Sequence, residues 1–466
     1  MEAAQAPNLD QTAPGPRIGR FSTLDILRGT ALLGILLVNI QAFGLTEPQI
    51  QHFIRGPHGG SYWLITLIQV LFGHSMQAAF TMAFGAGILL FLGKTKTANG
   101  MAAPELYIRR QMWLIAFGLI NAIGFLWTYD LLFLYGIVGI LLFPFRLMSM
   151  RTLLVSALAM GLIYSGKTYW NFTEQKEKYE KYQKVVALEK KQKQLDKKTA
   201  TKAKKAALND EQKDDKSAWE GLVKSHQYDK KQDESTIKAM RSDYSTVWSH
   251  LLPTIQATQA QYLYRLGLWD IASMILLGMA LFRWGFYTDQ LTTRQYTGLA
   301  AVGLLIGQAL AWLSVFSNEW LLTDFTNYIS TSWLPLHEVF RPFSQALSAV
   351  GWASLVMVLY RLNFAGWWWQ AVGAVGQMGL TTYLTQSVAC TLFFNGYGFG
   401  YFGQLRLSAL YLIVAELWLL QIVFSVVWLR HFRLGPVEWL WKSLTTGQWQ
   451  PLRRHEPGPE STPVLS

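Results

Sequence analysis

A single cysteine, Cys390, stands in 466 residues. No intramolecular disulfide can form, and a cysteine-rich metal or redox centre is excluded. Histidine is scarce as well, at eight, and no HExxH spacing occurs, so no metal site is expected. No GxSxG or Walker sequence lies in a suitable context, which argues against hydrolysis by those routes and against ATP-driven work by this chain alone. Acidic residues fall short of basic ones, 29 against 41. That surplus needs no nucleic-acid partner. Between Glu174 and Asp243 stand 19 Lys and Arg against 14 Asp and Glu, which accounts for +5 of the +12 formal charge. The rest falls in loops, where anionic lipid is the expected neighbour. No cleavable signal peptide is evident; residues 1–20, with Pro7, Pro14 and Pro16, read as a disordered cytoplasmic tail.

What the chain has in plenty is apolar and aromatic surface. Hydrophobic residues make up 51%, aromatics 14%, and there are 20 Trp, the composition of an all-α polytopic transmembrane bundle with interfacial aromatics. Apolar stretches of about 20 residues, enough to cross a bilayer, fall near 22–45, 74–93, 111–128, 131–149, 151–169, 262–285, 295–316, 343–361, 371–394 and 406–429. They predict about ten spans. The stretch 62–73 is shorter, begins with Tyr62 and Trp63, and reads as an interfacial helix or a re-entrant piece. Basic residues gather on alternate connections, at Lys94, Lys96, Arg109 and Arg110, then Arg146 and Arg151, then Arg283 and Arg294, then Arg361. The positive-inside rule then places both termini in the cytoplasm. Five-helix halves at 21–169 and 259–431 flank an extracytoplasmic insertion at 170–258, and 432–466 form a cytoplasmic amphipathic segment and tail. No inverted repeat relates the two halves.

The insertion is charged and helical. Glu174 with Lys178, Glu177 with Lys181, and Glu180 with Lys184 are i,i+4 pairs in the favourable order. Asn209 followed by Gln212 predicts an N-cap and a second helix, and a third is expected to run toward Trp248 before Pro253. The whole reads as a charged helical hairpin standing off the membrane or, alternatively, a partner-docking arm. The stretch "KKTATKAKKAALNDEQKDDK" reads as mobile.

Ionisable groups at membrane depth are costly unless paired or wetted, so they mark where chemistry belongs. On the first span, Asp25 and Arg28 lie near the cytoplasmic face and Asn39 lies three turns on. Arg28 suits an anion, because a guanidinium is always charged and donates bidentately; the alternative is an interfacial ion pair. His52, His58 and His74 stand at or beyond the outer face, where an imidazole can act as acid or base. Asn121, Asp130 and Tyr135 straddle the short turn between the third and fourth spans, with Asp130 also a natural N-cap. Asp270, Gln377, Tyr383, Gln386 and Glu416 complete the polar set, with Glu416 expected to face the bundle from mid-span.

The blocks "LDILRGTALLGILLVNI", "FGAG", "YDLLFLYGIVG", "GLTTYLTQS", "GYGFGYFG" and "SVVWLRHFRLGPVEWLWKSLT" recur in order along the chain and resemble the signature blocks of the YeiB-like family of bacterial membrane proteins. That family looks distantly related to transmembrane acyltransferases such as heparan-alpha-glucosaminide N-acetyltransferase. The resemblance implies that Arg28 and Asn39 match an arginine and histidine on helix one of those enzymes, and that His52 and His58 are the counterparts of a catalytic histidine in the following loop. On that basis an acyl-CoA would bind near Arg28. A small-molecule or glycan acceptor would lose its proton to His58, His52 or His74, with Asp130 orienting the base and Asn39 or Asn121 donating to the carbonyl oxygen. Tyr135, Asp270, Gln377, Tyr383, Gln386 and Glu416 would line the substrate path. A proton-coupled or anion transporter built on the same polar residues, and a scaffold that presents the insertion to a partner, are the other two classes open at this point; the oligomeric state is open too.

Overall fold

A computed structural model describes residues 23–55, 58–94, 102–198 and 208–454. The tail 1–20, Lys96, and part of the low-complexity stretch of the insertion lie outside the described residues. Among those described, the chain is helical throughout, with one isolated antiparallel bridge between Phe432 and Arg453.

In chain order, α1 (Thr23–Gly44) turns into the short α2 (Glu47–Arg55), and α3 (Gly60–Lys94) returns. α4 (Ala103–Leu119) runs into a π-helical turn at Ile120–Gly124, and α5 (Leu132–Leu141) ends in a 3-10 turn at Phe143–Leu147. α6 (Met150–Lys198) leads to α7 (Asp210–Ser225), α8 (Lys230–Met240) and α9 (Tyr244–Gln256), which continues through a π-helical stretch, Ala257–Gly267, into α10 (Leu268–Arg283). The second half holds α11 (Thr293–Thr323), α12 (Phe325–Thr331), α13 (Leu336–Val339), α14 (Arg341–Arg361), α15 (Gly366–Gln377), α16 (Gly379–Phe394), α17 (Leu407–His431) and α18 (Pro436–Thr446).

Among the described residues, six helices are long and apolar enough to cross a membrane: α1, α3, the joined α9–α10, α11, α14 and α17. The chain is an all-α helical membrane bundle. The remaining expected spans differ from simple crossings. The stretch 371–394 is two helices broken at Met378, and 131–149 is the ten-residue α5 followed by a 3-10 turn containing Pro144. The expected interfacial helix at 62–73 does not exist as a separate element, because α3 is continuous over 35 residues. Backbones meet closely where glycine allows it. A Cβ on Gly376 would stand 1.8 Å from the Asp25 carbonyl oxygen, and one on Gly29 would stand 2.0 Å from that of Val372, so α1 and α15 pack main chain to main chain.

The insertion begins as a stalk. α6 runs 49 residues without interruption, about 73 Å at 1.5 Å per residue. Lys178 meets Glu174 at 2.8 Å and Lys181 meets Glu177 at 3.0 Å; the third expected pair, Glu180 with Lys184, does not close. The capping box at Asn209 and Gln212 forms as expected, with both reciprocal bonds present. α7 folds back on the stalk by burying Trp219 among Tyr179, Tyr182 and Phe325. Beyond it the expectation of a free-standing hairpin fails. The single third helix is instead α8 and α9, and both lie on the bundle: Arg241 Nε donates to the Phe402 carbonyl at 2.7 Å, and Gly396 N–H to that of Met240 at 2.9 Å. Pro253 does not end α9 but sits inside it.

Candidate functional site

Polar side chains converge inside the bundle near the end that carries the insertion. Arg341, Gln345 and Ser348, spaced four and three, fall on one face of α14, with His337 one turn before. That face meets Asp270 in the first turn of α10. Arg341 Nη2 stands 3.4 Å from Asp270 Oδ2, the Gln345 amide donates to Oδ1, and the Tyr262 hydroxyl donates to Oδ2 at 3.4 Å. Asp270 is only 5% exposed. A lone carboxylate there would cost several kcal/mol, and these three partners offset that cost.

Beside this pair opens a cavity of about 770 Å³. Asn39 from α1, His74 from α3, Asp130, His337, Arg341 and Ser348 are in its wall. His74 is solvent-accessible although it lies well within α3, and it lines the cavity. Two buried atoms of the lining residues, Arg341 Nε and Ser348 Oγ, have no hydrogen-bond partner. Orphaned polar atoms beside an open space are what a ligand or water satisfies. With an imidazole, a guanidinium and a carboxylate on one wall, the site can move a proton and hold an oxyanion.

The structure brings together only some of the residues expected from the sequence. Asn39, His74 and Asp130 share the cavity, and Asp270 braces it through Arg341 and Gln345. Asp130 is fully buried. Its Oδ2 accepts the Phe133 N–H at 2.9 Å in the first turn of α5, although the N-cap residue of that helix is Leu131, and its Oδ1 accepts Asn121 Nδ2 at 2.8 Å, so the Asn121 amide is committed to it. Tyr383 accepts the Leu131 N–H at 3.1 Å and Tyr135 pairs with Thr81; neither reaches the cavity wall. His52 is exposed on α2, and His58 lies outside, 3.3 Å from Glu319 and stacked on Tyr62 at 4.2 Å between ring centres. At the far end of α1, Arg28 stands 3.7 Å from Asp25 and reaches the Ala83 carbonyl at 3.4 Å. Gln386 donates to Gln421 at 3.0 Å, and Gln377 to the Arg433 carbonyl at 3.0 Å, both as packing amides.

Glu416 corrects the expectation. It is exposed on the outer face of α17 beside Leu412, Leu419 and Leu420, and does not face the bundle. The residues that sequence reasoning passed over are His337, Arg341, Gln345 and Tyr262. The spacing in "RPFSQALS" is the available signal, hidden because a charge at the very start of a helix reads equally as loop.

Residues 281–448 match a family described as "Protein of unknown function (DUF418)". The chain is 29% identical over 462 residues to the uncharacterized protein YeiB of Escherichia coli strain K12, spanning 91% of this chain and 96% of that one. It is 27% identical over 455 residues to the uncharacterized protein YxaH of Bacillus subtilis strain 168, spanning 96% and 98%. An uncharacterized 39.9 kDa protein from an amylase 3' region of Bacillus acidopullulyticus is 33% identical over 138 residues, 29% of this chain and 36% of that one. No solved structure matches.

Proposed function

We propose that this chain, similar over nearly its whole length to the uncharacterized proteins YeiB and YxaH, is a YeiB-like transmembrane acyltransferase, moving an acyl group from a cytoplasmic acyl-CoA to an acceptor on the outer side of the inner membrane. The observation that carries this reading is the cavity that joins His74, Asp130 and Arg341 within the bundle. In the proposed reaction the acceptor's O–H or N–H gives its proton to the His74 imidazole as its oxygen or nitrogen bonds the acyl carbon. The C–S bond then breaks, and the proton returns to the leaving thiolate. Arg341 Nε and Asn39 supply donors for the oxyanion. Among the three histidines first considered, the base role falls to His74, since His52 and His58 lie outside the cavity wall. Arg28 receives the CoA phosphates, eleven residues before Asn39 on α1, about 16 Å along the axis. Coenzyme A binding to purified protein tests this: binding that is lost in Arg28→Ala supports it, and absence of binding sinks it.

A transporter remains the second reading, favoured by the π-helical stretches and by the break at Met378, because irregular helices at membrane depth serve solute sites. Flux in proteoliposomes that is abolished by Arg341→Gln and indifferent to His74→Ala would select it.

A further inference from the structure

Four arginines gather at the end of the bundle that faces away from the insertion. α17 starts on the insertion side, just after Phe402, whose carbonyl accepts Arg241. Its 25 residues carry the chain about 37 Å at 1.5 Å per residue, enough to cross a hydrocarbon core of about 30 Å. The last turn, with Arg430 and His431, therefore emerges at headgroup depth. There the chain is drawn back on itself. The isolated bridge pairs Phe432 with Arg453, the Arg433 N–H donates to the Leu452 carbonyl at 3.0 Å, and the Arg454 N–H donates to that of His431 at 3.1 Å. Arg430 and Arg433 are thus set beside Arg453 and Arg454, and all four are exposed.

No carboxylate answers them. From Leu417 to Arg454 the sequence holds one acid, Glu438, and its oxygens are taken by the Leu380 and Thr381 N–H groups and the Thr381 hydroxyl. Among the described residues none of the four arginines is in an ion pair. Backbone bonds hold like charges together here, at an electrostatic cost that a bound anion removes. An indole stands next to them. Trp449 stacks on Trp439 with ring centres 5.2 Å apart, and Trp439 is fixed by its own indole N–H, which donates to the Gln450 carbonyl at 2.7 Å. Trp449 is left 72% exposed. A ring held on one face and bare on the other, at the end of a span, suits the membrane interface.

We propose that this cluster binds the headgroup phosphate of an anionic phospholipid, with Arg430, Arg433, Arg453 and Arg454 as its donors and Trp449 against the first carbons of the acyl chains. A zwitterionic headgroup fits less well, because the same arginines repel its ammonium. The site uses no residue of the cavity and is tested without an acyl donor, so it stands or falls apart from the acyl-transfer reading.

The probe is dioleoyl phosphatidylglycerol, added to the delipidated full-length protein in maltoside detergent, with bound lipid counted by native mass spectrometry. Dioleoyl phosphatidylcholine is the zwitterionic comparator, and glycerol 3-phosphate supplies the headgroup chemistry without the chains. Phosphatidylglycerol is expected to bind about tenfold or more tightly than phosphatidylcholine, and glycerol 3-phosphate to leave it in place. Arg433→Gln with Arg453→Gln and Arg454→Gln abolishes that preference. Arg433→Lys with Arg453→Lys and Arg454→Lys keeps it, which separates loss of charge from loss of fold. Lys190→Gln with Lys191→Gln and Lys193→Gln, on the stalk, leaves it unchanged. The proposal is overturned if the two lipids bind alike, if glycerol 3-phosphate displaces the phosphatidylglycerol, or if the stalk triple costs as much as the glutamine triple in the cluster.

Discussion

Neutralising Asp270 separates the contribution of charge from that of shape at the centre of the bundle. The side chains of Asp270 and Arg341 are 7% and 17% exposed, and they meet at 3.4 Å. Asp270→Asn keeps the volume and the contact with Gln345, but leaves the guanidinium without its countercharge. Removing one member of a buried pair costs about 3–5 kcal/mol, and the lower figure applies because Arg341 borders an open cavity. An unfolding entropy of about 2.1 cal/mol/K per residue, taken over the chain, converts about 3 kcal/mol into a fall of about 3 °C in Tm. Cys390, the lone cysteine and 1% exposed, makes the assay direct: a thiol-reactive fluorophore reports the temperature at which the core opens. Arg341→Met in the Asp270→Asn background should restore most of the loss, since no charge is then left buried. The reasoning fails if Asp270→Asn leaves Tm unchanged, or if the double variant loses the sum of the two singles.

Three further outcomes follow from the same geometry. Gly376→Ala forces a methyl into the Asp25 carbonyl and the Gly29 nitrogen, 1.8 and 2.6 Å from the new atom; it should lose about 1–3 kcal/mol in the same thiol assay, while Gly93→Ala, which meets nothing within 4 Å, should lose none from crowding. Glu438 on α18 accepts the Leu380 and Thr381 N–H groups at 2.6 and 2.9 Å, so it caps α16 from another helix. Glu438→Ala should cost about 2 kcal/mol and speed hydrogen exchange at those two amides. Hydrogen bonds from Ser245 and Thr246 hold the exposed Asp243 carboxyl at about 2, below its ordinary 3.8. A depressed value means that its stabilisation of the first turn of α9 is complete above pH 4 and lost as the pH falls toward 2. Amide exchange in that turn, corrected for the intrinsic rate, should rise over that window in the wild type and stay flat in Asp243→Ala.

Local chemistry was legible in the sequence wherever two interacting groups lie within one helical turn. The capping box at Asn209 and the bond from the Phe133 N–H to Asp130 are of this kind, because a side chain and a backbone N–H three residues apart need no tertiary information. Element boundaries were less legible. Hydropathy marks where a helix leaves the bilayer but not where it ends, so α6 and the α9–α10 helix both outrun their apolar segments. Pro253 removes one hydrogen bond, and the π-helical stretch that begins at Ala257 re-registers the ladder four residues later. The break at Met378 was invisible because both sides of it are apolar. Which face of a span meets lipid depends on its neighbours, and for that reason Glu416 was placed inward when it points out. Arg341 was hidden by a related ambiguity, since a charge at a helix start reads equally as loop.

The central claim is that the cavity around His74 is where an acyl group changes hands. The direct measurement is transfer of label from a radiolabelled acyl-CoA, offered to the cytoplasmic side of sealed membrane vesicles, into an acceptor on the other side. The account predicts transfer by the wild-type chain and its loss in His74→Ala at an unchanged Cys390 labelling temperature. Transfer that survives His74→Ala, or a wild-type chain that moves no label, contradicts it.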